Sequence, residues 1–406
     1  YGGLSVDLTL NKNWHLYAKL VDNTMSEPIA LTTYFIDHEG GNYKLSLQND
    51  YSEMQGGIIY SFPWGNIGLI KDKIQWGDNY FGSNIFSGRQ PSFPLLKLNA
   101  FINERIELNY IHGWLVSEVV DSNASYISNE GYIKSHREKF LAANMISLKL
   151  FENSYFSFGN SIIYSNLGGI NPAYLIPFFF YKSVDHTISH ATKNQNSQLF
   201  LNFSFREINH VHLYSGLFVD ELKKSRIFID SLNNFLSFKI GSRISNWPIQ
   251  NVTNTLEMNF TNPMTYKHNI NVTTFESNNY NLGHYMRDNS KTINYQLSYK
   301  FKNRVKFNFK YLYAMHGDEL EYSFNNNYDP TGIPIRENKT WDSKIYSFSI
   351  IKEFKENIYA TIEYEISNIQ GYENNNFSSD YYLNRFTPDF YRGKNKIISV
   401  NFNIGF

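Results

Sequence analysis

The amino-acid sequence predicts an all-β protein, a transmembrane antiparallel β-barrel of about 18 strands with short periplasmic turns and long extracellular loops. Three observations indicate this fold. Apolar and polar residues alternate over long segments, aromatic residues make up 17% of the chain, and no run of eighteen apolar residues occurs. Successive side chains of a strand point to opposite faces, so each segment has one face for lipid and one for water. Helical membrane spans are excluded, because they need long apolar runs.

The C-terminal segment has the clearest alternation. Positions 398, 400, 402, 404 and 406 hold Ile, Val, Phe, Ile and Phe, and the residues between them are Ser, Asn, Asn and Gly. Membrane barrels alternate outward apolar with inward polar residues in this way. Their closing strands commonly end in Phe, and we therefore assign Phe402, Ile404 and Phe406 as the barrel-closing signal.

Two hairpins follow the same rule elsewhere in the chain. Residues 4–10 and 14–20 alternate on either side of a short polar turn, and so do residues 293–301 and 305–313. We expect the odd-numbered residues of the second hairpin to face lipid. Strands of soluble proteins average about five or six residues, so a soluble sandwich does not explain segments of this length.

Long polar connections separate the hairpins. By the asymmetry usual in such barrels they belong to the extracellular side, and the short turns belong to the periplasmic side. An even strand number and about 22 residues per strand give eighteen strands, although the segments near 31–38, 95–102 and 268–276 are ambiguous. No internal repeat or linker appears, so residues 1–406 form a single barrel domain. The long connections lie near 77–95, 120–137, 166–195, 221–232, 276–290, 316–341 and 369–393.

The composition limits the classes of function that the sequence is compatible with. The 37 basic and 37 acidic residues cancel, which gives no sign of nucleic-acid binding. A mean hydropathy of −0.42 suits a barrel, because half of each strand faces water. The absence of cysteine identifies no compartment. No signal peptide is present in this sequence, and we expect a processed protein in the outer membrane of a Gram-negative bacterium.

Four stretches are more distinctive than a general barrel pattern. The first has a Trp-Gly step after a strand, the second an Asn-Pro segment, the third an acidic pair that ends a strand, and the fourth a Glu-led strand that runs into Tyr-x-His. They are residues 71–77 with 79–82 and 92–98, residues 170–178, residues 217–222, and residues 256–268 with 282–284.

In this order and spacing the four stretches resemble the Wzi capsule-assembly family in its Bacteroidetes-type form. The resemblance covers roughly residues 60 to 300. It implies an eighteen-stranded outer-membrane barrel that acts as a surface lectin and retains or organises capsular polysaccharide. No obvious helical segment precedes the first strand, which leaves open whether the periplasmic helical bundle of some relatives is present.

The residues of these stretches supply candidates for polysaccharide binding or for a plug. Sugars present flat CH faces that pack on aromatic rings, and their hydroxyls need amide, carboxylate and guanidinium partners. The candidates are Trp76, Asn79, Tyr80, Arg89, Asn171, Tyr174, Tyr181, Asp220, Glu257, Tyr266 and His268.

Each candidate also has a structural interpretation. Trp76 could belong to an interfacial aromatic girdle, and Asn171 begins an Asn-Pro turn whose aromatic continuation could fold inward and plug the lumen. Asp220 closes a strand, where carboxylates are usually solvated. Glu257 alternates with apolar neighbours, so we expect it to face the lumen and pair with a basic residue.

The sequence gives no sign of an enzyme or of a cofactor. His210 and His212 share a strand face, but no further ligand stands at a fixed spacing for a metal. Nucleophile elbows, phosphate loops and dinucleotide fingerprints are missing. The sequence therefore predicts a non-enzymatic barrel whose partners are capsular or exopolysaccharide and outer-membrane lipid, with another outer-membrane protein as a further candidate partner. A porin-like channel and a structural subunit of a larger complex remain as alternatives.

Overall fold

The computed structural model describes residues 2–25, 31–37, 40, 49–129, 131–165, 168–188, 194–226, 234–322 and 338–405. Within these ranges the chain consists mainly of strands. In chain order they are β1 (Gly2–Leu10), β2 (Trp14–Met25), β3 (Asn49–Phe62), β4 (Gly65–Asp72), β5 (Gln75–Trp76), β6 (Phe86–Ser87), β7 (Phe93–Asn103), β8 (Ile106–Leu115), β9 (Val120–Ser128), β10 (Gly131–His136), β11 (Lys139–Phe151), β12 (Ser154–Tyr164), β13 (Gln195–Phe205), β14 (Val211–Glu221), β15 (Phe235–Ser245), β16 (Val252–Thr261), β17 (Glu276–Ser277), β18 (Tyr280–Asn281), β19 (Ser290–Lys300), β20 (Val305–His316), β21 (Trp341–Lys355), β22 (Ile358–Gly371) and β23 (Gly393–Ile404).

Seventeen of these strands form one antiparallel sheet that runs from β1 to β23; each inner strand pairs with the sheet strands before and after it, and β1 and β23 each pair with one described strand. The count is close to the predicted number of about 18. The pairs β5–β6, β9–β10 and β17–β18 form three separate small hairpins. The fold is thus the predicted transmembrane antiparallel β-barrel. Of the ambiguous segments, the one near 95–102 is strand β7, whereas the described residues of 31–38 form no strand.

The first and last strands of the sheet come together at one seam. Residues 2–5 of β1 and residues 400–405 at the end of β23 line the same cavity, whose volume is about 930 Å³. No hydrogen-bonded ladder joins β1 to β23 among the residues that the structure describes. Phe402 and Ile404 of the predicted closing signal lie on β23, and Phe406 lies outside the described residues.

The two faces of the sheet follow the alternation of the sequence. Ile398, Val400, Phe402 and Ile404 are exposed on the outer face, and Ile398 is 72% exposed. Leu297, Phe309 and Phe348 continue the row of Ile398 across the neighbouring strands. The odd-numbered residues of β19 and β20 therefore lie on the outer face, as the sequence predicts. The polar residues between them, such as Asn294 and Asn308, are buried on the inner side.

Short turns connect the strands at one end of the barrel and long segments connect them at the other. Residues 11–13, 63–64, 104–105 and 356–357 are among the short turns, which form the periplasmic end. Asn11, Lys12 and Asn357 have positive φ angles, which polar residues tolerate in tight turns. The long connections include residues 73–92, 165–194, 262–289 and 372–392, at the extracellular end.

Helical structure is confined to these long connections. The helices are α1 (Tyr181–Ile188) and α2 (Ser379–Phe386), with 3₁₀ turns at Pro172–Leu175, Lys224–Arg226, Asn271–Thr273 and Asp389–Tyr391. Neither α1 nor α2, the α-helices of the described chain, has the length and apolar character needed to cross a membrane. Helix α2 packs over the extracellular ends of β21 and β22, where Tyr382 and Phe386 bury against Trp341 and Ile369.

Candidate functional site

The connection between β4 and β7, residues 73–92, crosses the interior of the barrel, and we call it the luminal strap. Its Asn84 side chain donates hydrogen bonds to the carbonyl oxygens of Gly216 at 3.2 Å and Ser237 at 3.0 Å. These residues belong to β14 and β15, which lie several strands away from β4 around the sheet. A connection that touches both sides of the wall must pass through the lumen.

Apolar side chains anchor the luminal strap. Ile85 and Phe86 are fully buried against Phe200 and Phe218, which point inward from β13 and β14. Trp76 packs edge-on against Phe86 and Phe200, with ring centroids 5.2 and 6.0 Å apart. Burial of each such ring contributes roughly 1.5–3 kcal/mol. Trp76 is therefore part of the core of the lumen and not of an interfacial girdle.

Glu257 binds the strap at its centre. Its side chain is 1% exposed and faces the lumen, as the alternation predicts. One carboxylate oxygen accepts the Tyr80 backbone N–H at 2.9 Å and the Tyr214 hydroxyl at 2.6 Å. The other lies 3.6 Å from the ammonium of Lys239, which also donates to the carbonyl of Gly82. A buried charge is stable only when paired and hydrogen-bonded, and Glu257 meets both conditions.

The tip of the strap reaches the periplasmic end of the lumen. Asp78 accepts hydrogen bonds from Asn202 at 2.7 Å and from Arg206 at 3.2 Å, and Arg206 begins the short turn after β13. Tyr80 contacts His212 through its hydroxyl at 3.0 Å. Burial raises the pKa of Asp78, but hydrogen bonds from His212 and Asn202 and the charge of Arg206 outweigh it, so the net pKa lies below its usual range.

A cleft opens beside this tip. Its volume is about 320 Å³, and it is lined by Gln75, Gly77, Asp78, Asn79, Tyr80, Arg206 and His212. The candidates Asn79 and Tyr80 thus lie together, but at the periplasmic end. The length and polarity of this connection predict an extracellular position, whereas the connection extends down through the lumen to the periplasmic end.

A second connection, residues 262–289, also packs inside the barrel and supports the strap. The Tyr266 N–H donates to Asp220 at 2.7 Å, and the Tyr266 hydroxyl donates to the carbonyl of Asn84 at 2.7 Å. His268 contacts the Thr273 hydroxyl at 2.7 Å, and burial lowers the pKa of His268 to about 4. Asp220, Tyr266 and His268 therefore hold chain segments together, and Asp220 is not the freely solvated carboxylate that its position at a strand end indicated.

Arg89 joins the two internal connections to a third. Its guanidinium lies over the rings of Tyr280 and Tyr285, at 5.9 and 5.8 Å from their centroids. It also donates to the carbonyl of Tyr34 at 3.2 Å, in the segment 31–37. Burial lowers the pKa of Arg89 to about 10. Arg89 thus connects the luminal strap to residues 262–289 and to residues 31–37 inside the lumen.

A second cavity, of about 240 Å³, lies between these segments and the wall of β19–β22, and we call it the luminal cavity. Asp37, Lys310, Glu363 and Glu365 supply charges to its lining, and Ser343 and Ser347 supply hydroxyls. Rings surround the same space from the inner side of the wall and from the internal segments: Phe35, Phe81, Tyr285, Trp341 and Tyr391.

Two polar atoms of the luminal cavity lack partners. The Ser343 hydroxyl and one carboxylate oxygen of Glu365 are buried and have no hydrogen-bond partner among the described residues. Leaving such a group unsatisfied costs about 1–3 kcal/mol, so the cavity is suited to a ligand with hydroxyl groups. Ser343 and Glu365 are not among the candidates predicted from sequence, although Glu363 and Glu365 form the polar face of an alternating strand.

The candidates Asn171, Tyr174 and Tyr181 lie elsewhere, on the outside of the barrel wall. The Tyr110 hydroxyl donates to the carbonyl of Tyr174 at 2.9 Å, and the Tyr181 N–H donates to Asn160 at 2.9 Å. Tyr110 and Asn160 belong to the row of outward-facing residues that includes Leu98 and Leu199. The interpretation of residues 171–181 as an inward-folded plug is wrong, because this segment packs on the opposite face of the sheet.

Comparison with known proteins supports the fold. The solved structure of Wzi from Escherichia coli superposes with a TM-score of 0.58 at 11% identity, covering 100% of this chain and 78% of that chain. Its authors describe Wzi as an outer-membrane protein involved in group 1 capsule assembly and as a carbohydrate-binding β-barrel. The chain has the fold of an outer-membrane β-barrel.

Other outer-membrane barrels superpose less well on this one. OccAB2 of Acinetobacter baumannii gives a TM-score of 0.47 at 7% identity, over 96% of this chain and 86% of that chain. OprD of Pseudomonas aeruginosa gives 0.45 at 10% identity, over 96% of this chain and 87% of that chain. No protein-family model and no curated protein sequence matches the barrel.

Proposed function

We propose that the barrel binds surface polysaccharide, either capsular or exopolysaccharide, in the outer membrane of a Gram-negative bacterium and does not alter it chemically. The observation that carries this proposal is the luminal cavity, in which the Ser343 hydroxyl and an oxygen of Glu365 are buried without partners among the described residues. Sugar hydroxyls would supply the missing hydrogen bonds, and the surrounding rings would pack on sugar CH faces.

The size of the cavity limits the ligand. Its volume of about 240 Å³ lies below the roughly 300–1,000 Å³ typical of small-molecule pockets. The cavity therefore suits one sugar unit or the end of a chain. Asp37, Glu363 and Glu365 give it more acidic than basic groups, with Lys310 as the cation exposed to it.

The fold supports the same proposal. Wzi is described as binding carbohydrate in capsule assembly, and the resemblance of residues 60 to 300 to that family rests on four ordered stretches. At 11% identity the similarity carries the fold alone, and the ligand is inferred from the cavity. The similar barrels named above give no indication of an enzyme.

A porin-like channel is the second candidate. Lys300 and Lys310 are exposed on the inner face of the barrel wall, which is the position of charges along an aqueous passage. Single-channel recording in planar bilayers separates the two functions. A large and steady conductance would contradict the binding function, because the strap and its supporting segments occupy the lumen.

The direct test is binding of the purified barrel in nanodiscs to the polysaccharide of the producing organism. We expect Glu365→Gln and Ser343→Ala to weaken binding about tenfold each, since the first replaces a charged acceptor by a neutral amide, the second removes a hydroxyl, and a hydrogen bond to such a group is worth about 1–3 kcal/mol. Glu104→Gln, in the exposed turn after β7, is the matched control and should bind normally. Equal binding by all three variants would rule out the luminal cavity as the site.

A further inference from the structure

The outer face of the barrel carries polar residues where lipid-facing residues are expected. Leu16, Ile58, Leu69 and Leu96 are successive partners across β2, β3, β4 and β7, and His112 is the next residue of that row. One row away, Asn144 of β11 and Asn160 of β12 are paired between Tyr110 and Leu199. Polar side chains exposed to hydrocarbon are costly, so this patch needs a cover.

Residues 168–188, which we call the external flap, provide that cover. The Asn144 side-chain amide donates to the carbonyl of Phe179 at 2.8 Å, and the amide of Asn160 donates to the same carbonyl at 3.2 Å. The oxygen of Asn160 accepts the Tyr181 N–H at 2.9 Å. Irregular backbone at membrane depth must have its polar groups satisfied by protein. The wall and the flap thus exchange three hydrogen bonds, while the Tyr174 hydroxyl and His112 Nδ1 are buried there without a partner among the described residues.

Aromatic packing fixes the flap to the wall. Tyr174 and Tyr181 are fully buried, and the Tyr174 ring lies 4.7 Å from Tyr164 of β12. The Tyr164 ring in turn stacks on Phe140 at 5.2 Å, and its hydroxyl meets His112 at 2.7 Å. The flap begins with a capped 3₁₀ turn, in which the Asn171 side chain accepts the Ala173 N–H at 3.0 Å. The segment is therefore an ordered part of the outer surface.

The path of the flap runs down the barrel and back. The N–H of Asn171 points to the Tyr164 hydroxyl at 3.4 Å, whereas Phe179 and Tyr181 lie at Asn160. Asn160 precedes Tyr164 by four residues, which is roughly 13 Å along a strand. Helix α1 starts at Tyr181 and leads back towards the start of β13 at the extracellular end.

Exposure along this path divides the flap into two zones. At its lower edge Leu175, Phe178 and Phe180 are exposed, Phe178 by 66% and Phe180 by 48%. On α1 the exposed residues Lys182 and His186 are polar. The most exposed rings, Phe178 and Phe180, thus lie deeper along the wall, whereas the polar residues of α1 and the 38%-exposed Ile170 lie nearer the extracellular end.

We propose that the external flap is a membrane-interface element that inserts Leu175, Phe178 and Phe180 among the acyl chains of the outer leaflet and places the polar side of α1 among the headgroups. The occupant of this surface is lipid, because the exposed rings continue the lipid-facing surface of Phe158, Leu199 and Leu201 on β12 and β13. Segments with an apolar edge and a polar helix face bind interfaces in this manner.

Site-directed spin labelling tests this proposal directly, because the sequence contains no cysteine. A nitroxide at Phe178→Cys, in barrels reconstituted into lipid vesicles, is compared with one at Leu201→Cys on the lipid-facing wall. A third label at Ile127→Cys, on the β9–β10 hairpin and 84% exposed, serves as the water-exposed reference. We expect the Phe178 label to collide with oxygen more often than with a water-soluble nickel complex, as the Leu201 label does.

Two results would overturn the proposal. Nickel accessibility at Phe178 equal to that at Ile127 would place the flap in water. A label shielded from both reagents would assign the surface to a second copy of the chain. Asn160→Leu in the Phe178→Cys background should increase label mobility while the barrel stays heat-modifiable in gels. Unchanged mobility would show that the asparagine pair does not hold the flap.

Discussion

The carboxylate of Glu257 accepts the backbone N–H of Tyr80 at 2.9 Å, across a separation of 177 residues. The contact fixes the middle of the luminal strap to the far wall of the barrel. The same oxygen accepts the Tyr214 hydroxyl, and Lys239 balances the charge. Neither residue lies in the luminal cavity, so the pair positions the strap and leaves the ligand to other side chains.

Replacement of Glu257 by leucine should strongly destabilise the barrel. The change leaves the Lys239 ammonium, the Tyr80 N–H and the Tyr214 hydroxyl buried without their acceptor, and we expect a loss of about 3–5 kcal/mol in the free energy of unfolding. Unfolding in urea, monitored by gel mobility, measures this loss in the free energy of unfolding. The double variant Lys239→Met with Glu257→Leu should recover part of the loss. A single variant as stable as the wild type would show that the pair is not buried as described.

The lipid-facing assignment is tested at Phe307 of β20. Phe307 is the third residue of β20, so Phe307→Arg should cost more than the roughly 0–1 kcal/mol of an interfacial charge and less than the roughly 2–4 kcal/mol of a charge at the bilayer midplane, because the charge would face hydrocarbon. Lys306→Ala and Lys310→Ala, on the inner face, are the matched controls and should be mild. If the arginine is harmless and the alanine variants unfold, the two faces have been assigned in reverse.

Deletion of Phe406 should affect assembly more than final stability. As the last residue of the predicted closing signal, it would act when the strand is recognised for insertion. We expect less protein in the outer membrane, with the inserted fraction as heat-resistant as the wild type. Quantitative immunoblotting of membrane fractions, with and without heating, measures both. Normal insertion would contradict the closing-strand assignment.

Stability should fall as pH decreases below about 6.5. Burial lowers the pKa of His268 to about 4, and burial with the nearby charges of Lys239 and Arg89 lowers the pKa of His284 well below its usual value. Between the folded and unfolded pKa values the unfolded chain binds more protons, so the stabilisation is present above pH 6.5 and is lost as pH falls towards 4. The lowering of the His268 pKa corresponds to about 3 kcal/mol in the free energy of unfolding.

Unfolding at several pH values measures this loss. His284→Asn should make the pH dependence of the free energy of unfolding shallower. An identical pH profile for wild type and the His284 variant would show that this histidine does not contribute.

Much of the fold could be predicted from sequence because strand alternation is a local property. Two-residue periodicity gave the facing of β19, β20 and β23 and the inward position of Glu257. This periodicity could not predict the path of the luminal strap, because the contacts of Asn84 and Tyr80 join segments more than a hundred residues apart. Tertiary packing decides such contacts.

The main wrong prediction concerned which side of the barrel wall residues 171–181 cover. The aromatic residues of 171–181 indicate burial equally well inside or outside the sheet. The available signal was in the strands: Asn144 and Asn160 occupy outward positions that the alternation reserves for apolar residues. A polar residue at an outward position indicates a protein cover, and this rule would have placed the segment correctly.

The luminal strap also restricts the order of folding. Its contacts are made with β13, β14, β15 and β16, which follow it in the chain by more than a hundred residues. Such contacts carry a large loop-closure cost and form slowly. The strap can therefore seat only after that part of the wall exists, which makes its seating a late step of folding. A chain that ended before β13 would leave the strap without the wall contacts that hold it in the lumen.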